Sequence, residues 1–259
     1  EVAVIQSAAT GEFDIRRWKQ RPFRQPHHTA SAVALTGGGV RPRPGEITLA
    51  HHGALFLDEL PEFPRAALEA LRQPMENRAI TVCRASGSVT FPADFQLVAA
   101  MNPCPCGYRG DPRRECRCTG ERVQAYLSRL SGPLMDRLDL QVDVPRPDTG
   151  PLIGDDPAGE TSAVVAARIA AARRCQYRRG WLNARLPVRG LAVRCQVRRK
   201  ALALLRKASA TLDLSARSCH RVLRVARTIG DLADCKNVRA CHMAEAVQLR
   251  RLERGSGAP

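Results

Sequence analysis

The run Ala54-Leu55-Phe56-Leu57-Asp58-Glu59 is the feature that most narrows what this chain can fold into. Four apolar residues end abruptly in two adjacent acids, the pattern of a short buried strand that carries carboxylates to its exposed carboxyl end. A second apolar run, Phe95 to Ala100, leads into Asn102-Pro103. Between the two, "PRAALEALRQPMEN" sets Ala67, Leu68, Leu71 and Met75 on one helical face, with Pro64 near its start. Strand, helix and strand in that order predict an α/β fold with a parallel sheet and flanking helices. Asp58, Glu59 and Asn102 should then emerge at the same edge of that sheet.

The flanking sequence sets out the rest of the chain. Residues 19–46, rich in Pro, Gly, His and Arg, read as loop with a short helix around Thr29 to Leu35. "AITVCRASGSVTFPADFQLVAAMNP" reads as two β segments turning at Ser86-Gly87-Ser88 ahead of the second buried strand. Leu138 to Val144 alternates apolar and polar residues as a strand does. The α/β core is thus expected over 1–147, with a Cys-rich insert at 103–120, and a Pro/Gly/Asp-rich linker over 148–159. Residues 160–255 form an all-helical lid of amphipathic segments, two of which open with the cap candidates Ser215 and Asn237.

Composition bounds the partners. No run approaches the ~18 to 20 apolar residues that cross a bilayer, and no signal peptide is visible, so no membrane partner is expected. The formal charge is +16, which favours a polyanion such as nucleic acid. Almost all of the positive charge is arginine, however; the lysines are Lys19, Lys200, Lys207 and Lys236. Such a bias also marks a GC-rich genome. Ten cysteines in a chain of this length, without secretory signs, suit reduced thiols in a cytoplasm better than a disulfide scaffold.

The motifs carry more specific chemistry. A strand ending in Asp-Glu suits a nucleotide triphosphatase: the first acid helps hold Mg²⁺, the second polarises the attacking water. The same pair could equally be solvated or cap the next helix. Asn102 offers a neutral polar group for orienting a water, or is a turn residue before proline. Cys104, Cys106, Cys116 and Cys118 lie in a Cys-Pro-Cys-x9-Cys-Arg-Cys pattern that can close a tetrahedral Zn²⁺ site; unmetalled thiols and an iron–sulfur cluster are the alternatives. Cys83, Cys175, Cys195, Cys219, Cys235 and Cys241 are scattered and read as packing residues. The pairs His27-His28 and His51-His52 do not suit a shared metal, because adjacent side chains point different ways.

Taken in order, "RPFRQPHHTAS", "PGEITLAHHGALFLDELPEF", "LEALRQPMEN", "LVAAMNPCPCG", "LSGPLMDRLD" and "LSARSCHRVLRVARTIGDLA" resemble successive signatures of the magnesium-chelatase-like AAA+ ATPases, the ComM/YifB branch in particular. The resemblance implies that Asp58 and Glu59 are the Walker B pair and that Asn102 is sensor 1. It implies that Arg137 is the arginine finger reaching a neighbouring subunit's nucleotide, and that Arg217 is sensor 2, touching the γ-phosphate from the lid. Arginine, always charged and fork-shaped, suits both roles. The β segments resemble a pore hairpin on which Arg78 and Arg84 would meet a DNA backbone; a merely solvated hairpin is the alternative. ATP and Mg²⁺ are the implied cofactors. A homo-oligomeric ring, a hexamer, acting on single-stranded or branched DNA is the implied assembly, with branch migration in recombination and natural transformation as its work. A chelatase-type subunit that remodels a protein partner is the second reading.

A phosphate-binding loop, G-x-x-x-x-G-K-[ST], should precede the Walker B strand, yet these residues contain no Gly-Lys pair. In the family that loop lies upstream. The chain therefore reads as the carboxyl-terminal part of a motor, inactive by itself, and a truncated, non-catalytic subunit is a third reading.

Overall fold

A computed structural model describes residues 1–12, 14–39, 42–84, 87–145 and 159–250. They divide into two compact units, Glu1–Arg137 and Leu138–Pro259.

In the first unit, helix α1 (Val2–Thr10) precedes strand β1 (Phe23–Arg24) and helix α2 (Ala32–Thr36), which Ser31 caps by accepting the Ala34 N–H at 3.1 Å. Strands β2 (Gly37–Gly38) and β3 (Arg43–Pro44) form a small antiparallel pair before helix α3 (Glu46–Leu49). The strand marked by its acids is β4 (Ala54–Leu57). Helices α4 (Arg65–Ala70) and α5 (Arg72–Asn77) share the amphipathic segment expected as one helix. Pro74 lacks the N–H that a continuous helix would need at that position. Ala67, Leu68 and Leu71 are buried, and Met75 packs against them. Strands β5 (Ala79–Arg84) and β6 (Gly87–Pro92) form the antiparallel hairpin, β7 (Gln96–Ala99) follows, and helices α6 (Gly120–Leu127) and α7 (Gly132–Met135) close the unit.

The sheet order is β1-β4-β7, parallel throughout, with Leu55 opposite Leu97 and Leu57 opposite Ala99. Leu55 and Leu57 are fully buried and pack with Leu35, Ile47, Leu68 and Leu71. One glycine decides whether β1 can join. A Cβ on Gly53 would run into the Pro22 carbonyl, which accepts the neighbouring Ala54 N–H at 2.9 Å. Only a residue without a side chain allows that approach.

The second unit comprises helices α8 (Ser162–Arg178), α9 (Leu191–Arg194), α10 (Arg199–Leu212), α11 (Ala216–Leu232) and α12 (Ala240–Gln248). Its core includes Leu191, Leu205, Val222, Ala226, Val238 and Met243. Ser215 caps α11 by accepting the Ser218 N–H at 3.1 Å, as its sequence position implied. Asn237 does not cap α12; that helix opens after Arg239, whose N–H donates to His242 Nδ1 at 3.3 Å.

The boundary between the units falls before the expected end of the core at 147. Leu138–Val144 forms no strand but belongs to the helical unit. Its polar groups are taken up there: Arg250 donates to the Leu138 carbonyl at 2.7 Å, and the Gln141 N–H to the Leu249 carbonyl at 2.6 Å. The proposed linker 148–159 lies, but for Gly159, outside the described residues.

Candidate functional site

Asp58 and Glu59 follow directly on β4 and are both exposed. Asp58 Oδ1 accepts the Glu59 N–H at 2.9 Å, which leaves Oδ2 for another partner. Glu59 adopts a left-handed backbone (φ 52°), a conformation that costs a non-glycine residue on the order of 1 kcal/mol or more. The turn is held because the Leu60 N–H donates to the Ala100 carbonyl at 3.0 Å, while Ala100 N–H donates to Leu57 at 2.9 Å. These bonds tie the ends of β4 and β7 together. Asn102, exposed, stands just past the end of β7, so the parallel register brings both carboxylates and the amide to one edge.

Further groups surround this edge. His28 Nδ1 lies 3.0 Å from Glu59 Oε2, and the His28 ring packs on His27 with centroids 4.0 Å apart. Tyr126, buried on α6, has its phenol raised above the usual range by burial first and then by the nearby Glu62 charge, against the opposing effect of the Asn102 backbone close by. Arg129 donates to Glu62 at 2.8 Å and to the Pro61 carbonyl at 3.1 Å, fixing the turn that follows the acids. His28 and Tyr126 are the contributors that residue patterns did not assign. "PHHTAS" stood out as a motif, but nothing local says that its second histidine meets a glutamate distant in sequence.

The other expected residues are placed as follows. Arg137 is buried: it pairs with Glu76 at 2.9 Å and donates to the Pro133 carbonyl. It is thus held inward. Arg217 is exposed in the first turn of α11, in the second unit. Arg78 stands at the foot of the hairpin rather than along it, with φ 56°, and lies 3.6 Å from Asp94. The side chain of Arg84 lies outside the described residues, as does Ser86.

Cys104, Cys106, Cys116 and Cys118 converge, with one sulfur each inside a span of 4.8 Å. The measured Sγ separations are 3.4 Å for Cys104–Cys106 and 3.6 Å from Cys116 to each of those two. A tetrahedron with Zn–S bonds of about 2.3 Å has its corners about 3.8 Å apart, so the four thiols fit such an ion. Backbone amides of Tyr108 and Arg117 approach the Cys106 sulfur, and the former is the main reason its thiol is lowered to about 6. The Cys118 amide acts likewise on Cys116, but burial and the adjoining thiols outweigh it and push that thiol up to about 11.

Glu1, His51 and His52 also meet: Glu1 Oε2 is 3.1 Å from His51 Nε2 and 3.0 Å from His52 Nε2. His51 Nδ1 accepts the Asp94 N–H at 3.0 Å, so its proton is assigned to Nε2, the nitrogen facing Glu1. That tautomer makes His51 a donor to the carboxylate rather than a ligand.

A parallel sheet with two acids and an asparagine at its carboxyl edge, followed by a helical unit, defines a partial core of the P-loop NTPase type with a carboxyl-terminal helical domain. Two family models match: magnesium chelatase, subunit ChlI, over residues 1–151, and the magnesium chelatase subunit ChlI carboxyl-terminal domain over 159–250. The chain belongs to this family. It is 46% identical over 256 residues, 98% of its length, to protein YifB of Salmonella typhimurium and to competence protein ComM of Haemophilus influenzae. Protein YifB of Escherichia coli matches to the same extent. The chain spans 50% of the length of each of these relatives. No helix among the described residues is long and apolar enough to cross a membrane.

Proposed function

We propose that this chain is the carboxyl-terminal part of a cytoplasmic, ATP-dependent ring motor that acts on single-stranded or branched DNA in the service of natural transformation and recombination. The observation that carries the reading is the meeting of Asp58, Glu59 and Asn102 at one edge of a parallel sheet. The printed name of the Haemophilus influenzae relative, a competence protein, supports the DNA branch, as does the formal charge of +16. A hexamer is the assembly proposed.

The acid pair fits Mg²⁺, because exposed carboxylate oxygens are the hard donors that ion takes. When bound, Mg²⁺ with ATP supplies a phosphoryl group whose charge is partly neutralised. Asp58, through Oδ2, would hold the cation, and Glu59 would take a proton from water. Asn102 would orient that water. His28 stands where it holds the Glu59 carboxylate in place. Arg217 is proposed to contact phosphate from the helical domain, and Arg137 to do so in a neighbouring subunit after leaving Glu76. Arg78 and Arg84 are proposed to meet the DNA backbone. The cysteine cluster is proposed to hold a structural Zn²⁺.

The test uses the whole protein as its own cell makes it. DNA should stimulate ATP hydrolysis in a salt-sensitive manner, and Glu59→Gln should lower the rate by roughly a hundredfold or more while nucleotide binding persists. A rate indifferent to DNA, or unchanged by Glu59→Gln, refutes the proposal. The match to the ChlI subunit model favours a second reading, a chelatase-type ATPase that remodels a protein partner. Stimulation by a protein, with no DNA binding at low salt, would support that reading.

A further inference from the structure

We propose that Cys104, Cys106, Cys116 and Cys118 bind one tetrahedral Zn²⁺ and that this metal is what holds Asn102 in place at the edge of the sheet. The metal site stands on its own geometry; its bearing on hydrolysis rests on the Asn102 role proposed above.

The argument follows the chain out of the sheet and back. β7 ends at Ala99, and Asn102 is separated from Cys104 by Pro103 alone. From there the backbone leaves the core as a loop without helix or strand until α6 begins at Gly120. Such a segment lacks an apolar interior of its own; in it only Cys104 is buried. Bonds within it include several between near neighbours. The Gly107 N–H donates to the Cys104 carbonyl at 3.0 Å, Asp111 Oδ1 accepts the Arg113 and Arg114 N–H groups at 2.7 and 3.1 Å, and Arg114 packs over the Tyr108 ring at 4.1 Å. Bonds of that kind do not tie the start of the loop to its end. Four thiolates on one cation do.

The closed loop bears on Asn102 from two sides. Gly107, at φ 80°, lies beside Asn102: a Cβ there would stand in ordinary van der Waals contact, 3.9 Å from the asparagine Oδ1. Thr119 caps α6 by accepting the Arg122 N–H at 3.4 Å immediately after Cys118, and that helix brings Tyr126 near the Asn102 backbone. Asn102 therefore lies on a closed path of Asn102, Cys104, Cys118, α6, Tyr126 and Asn102 again, in which the metal ties Cys104 to Cys118 and the Tyr126 approach to Asn102 is non-covalent.

The experiment uses the 259-residue chain purified under reducing conditions. Elemental analysis should find about one zinc per chain, and Co²⁺ in its place should give the thiolate charge-transfer and intense visible bands of a tetrahedral site. Chelation should accelerate amide exchange over residues 96–127 by roughly tenfold or more, leaving α10 to α12 unchanged, and added Zn²⁺ should restore protection. Cys106→Ser and Cys116→Ser should reproduce the chelated pattern. Absence of bound metal with no cobalt spectrum, an iron–sulfur chromophore, or disulfides among the four cysteines overturns the zinc site. Bound zinc whose removal leaves exchange around Asn102 unchanged, or unfolds the helical unit as well, overturns the positioning role. None of these readouts involves nucleotide, so failure of the motor reading would leave them intact. In the whole protein, loss of zinc should lower hydrolysis as Asn102→Ala does, whereas Asn102→Ala should keep its zinc.

Discussion

Asp231 is the side chain whose replacement should cost the helical unit most. Only 1% of it is exposed, and it accepts from Arg227 Nε at 3.1 Å, Arg179 Nη1 at 2.6 Å and Asn183 Nδ2 at 2.8 Å. Arg227 is itself 1% exposed, and its remaining donors go to the Lys236 carbonyl at 2.8 Å, the Cys195 carbonyl at 3.3 Å and the Cys235 carbonyl. Asp231→Ala therefore leaves a buried guanidinium with carbonyl partners but no countercharge. Breaking a buried pair in this one-sided way costs about 3 to 5 kcal/mol. At about 4 °C per kcal/mol for a unit of this size, the transition should fall by about 12 to 20 °C. Asp231→Asn keeps one acceptor and should lose less. The double change Arg227→Met with Asp231→Leu should recover much of the loss, because it removes both charges together. Trp18 and Trp181 are the tryptophans, so Trp18→Phe leaves the fluorescence of Trp181 reporting on the helical unit during thermal or urea unfolding. A drop below about 4 °C for Asp231→Ala, or a double variant worse than the single, would refute the account of this network.

Gly53→Ala should destabilise the α/β unit by about 1 to 3 kcal/mol, since the added Cβ meets the Pro22 backbone and no rotamer relieves it; urea unfolding followed by circular dichroism measures this. His242 is held below the ordinary histidine range by burial first and then by the Arg227 and Arg239 charges. The unfolded chain therefore binds the proton first as pH falls, and stability should decline below the unfolded value of about 6.5 and not above it. Melting curves between about pH 7.5 and 5.5 should show that decline, with part of it missing in His242→Gln.

Much of the architecture was legible locally. An apolar run of four residues ending in acids can be little else but a buried strand, and β4 spans Ala54–Leu57 as the pattern implied. The amphipathic faces of α4, α10 and α11, and the Ser215 cap, follow from helical periodicity and from the chemistry of a side-chain oxygen before a helix. The clustering of four cysteines was visible in their spacing, although spacing alone said nothing of the sulfur separations.

Other features depend on contacts that no window of sequence contains. Leu138–Val144 alternates like a strand but forms none, and bonds to Leu249 and Arg250 decide its place instead. The family resemblance implies that Arg137 is an arginine finger, and only the fold shows that Glu76 holds it inward here. His28 acquires meaning from Glu59, Tyr126 from Asn102, and Asp231 from two arginines, Arg179 on α8's C-cap side and Arg227 on its own helix. The sequence by itself determined which elements form and which chemical groups lie at their ends, because periodicity, capping and turn chemistry act over a few residues. The tertiary structure alone decided which of those groups meet, because a buried charge or a converging thiol is satisfied only by partners that folding brings from elsewhere in the chain.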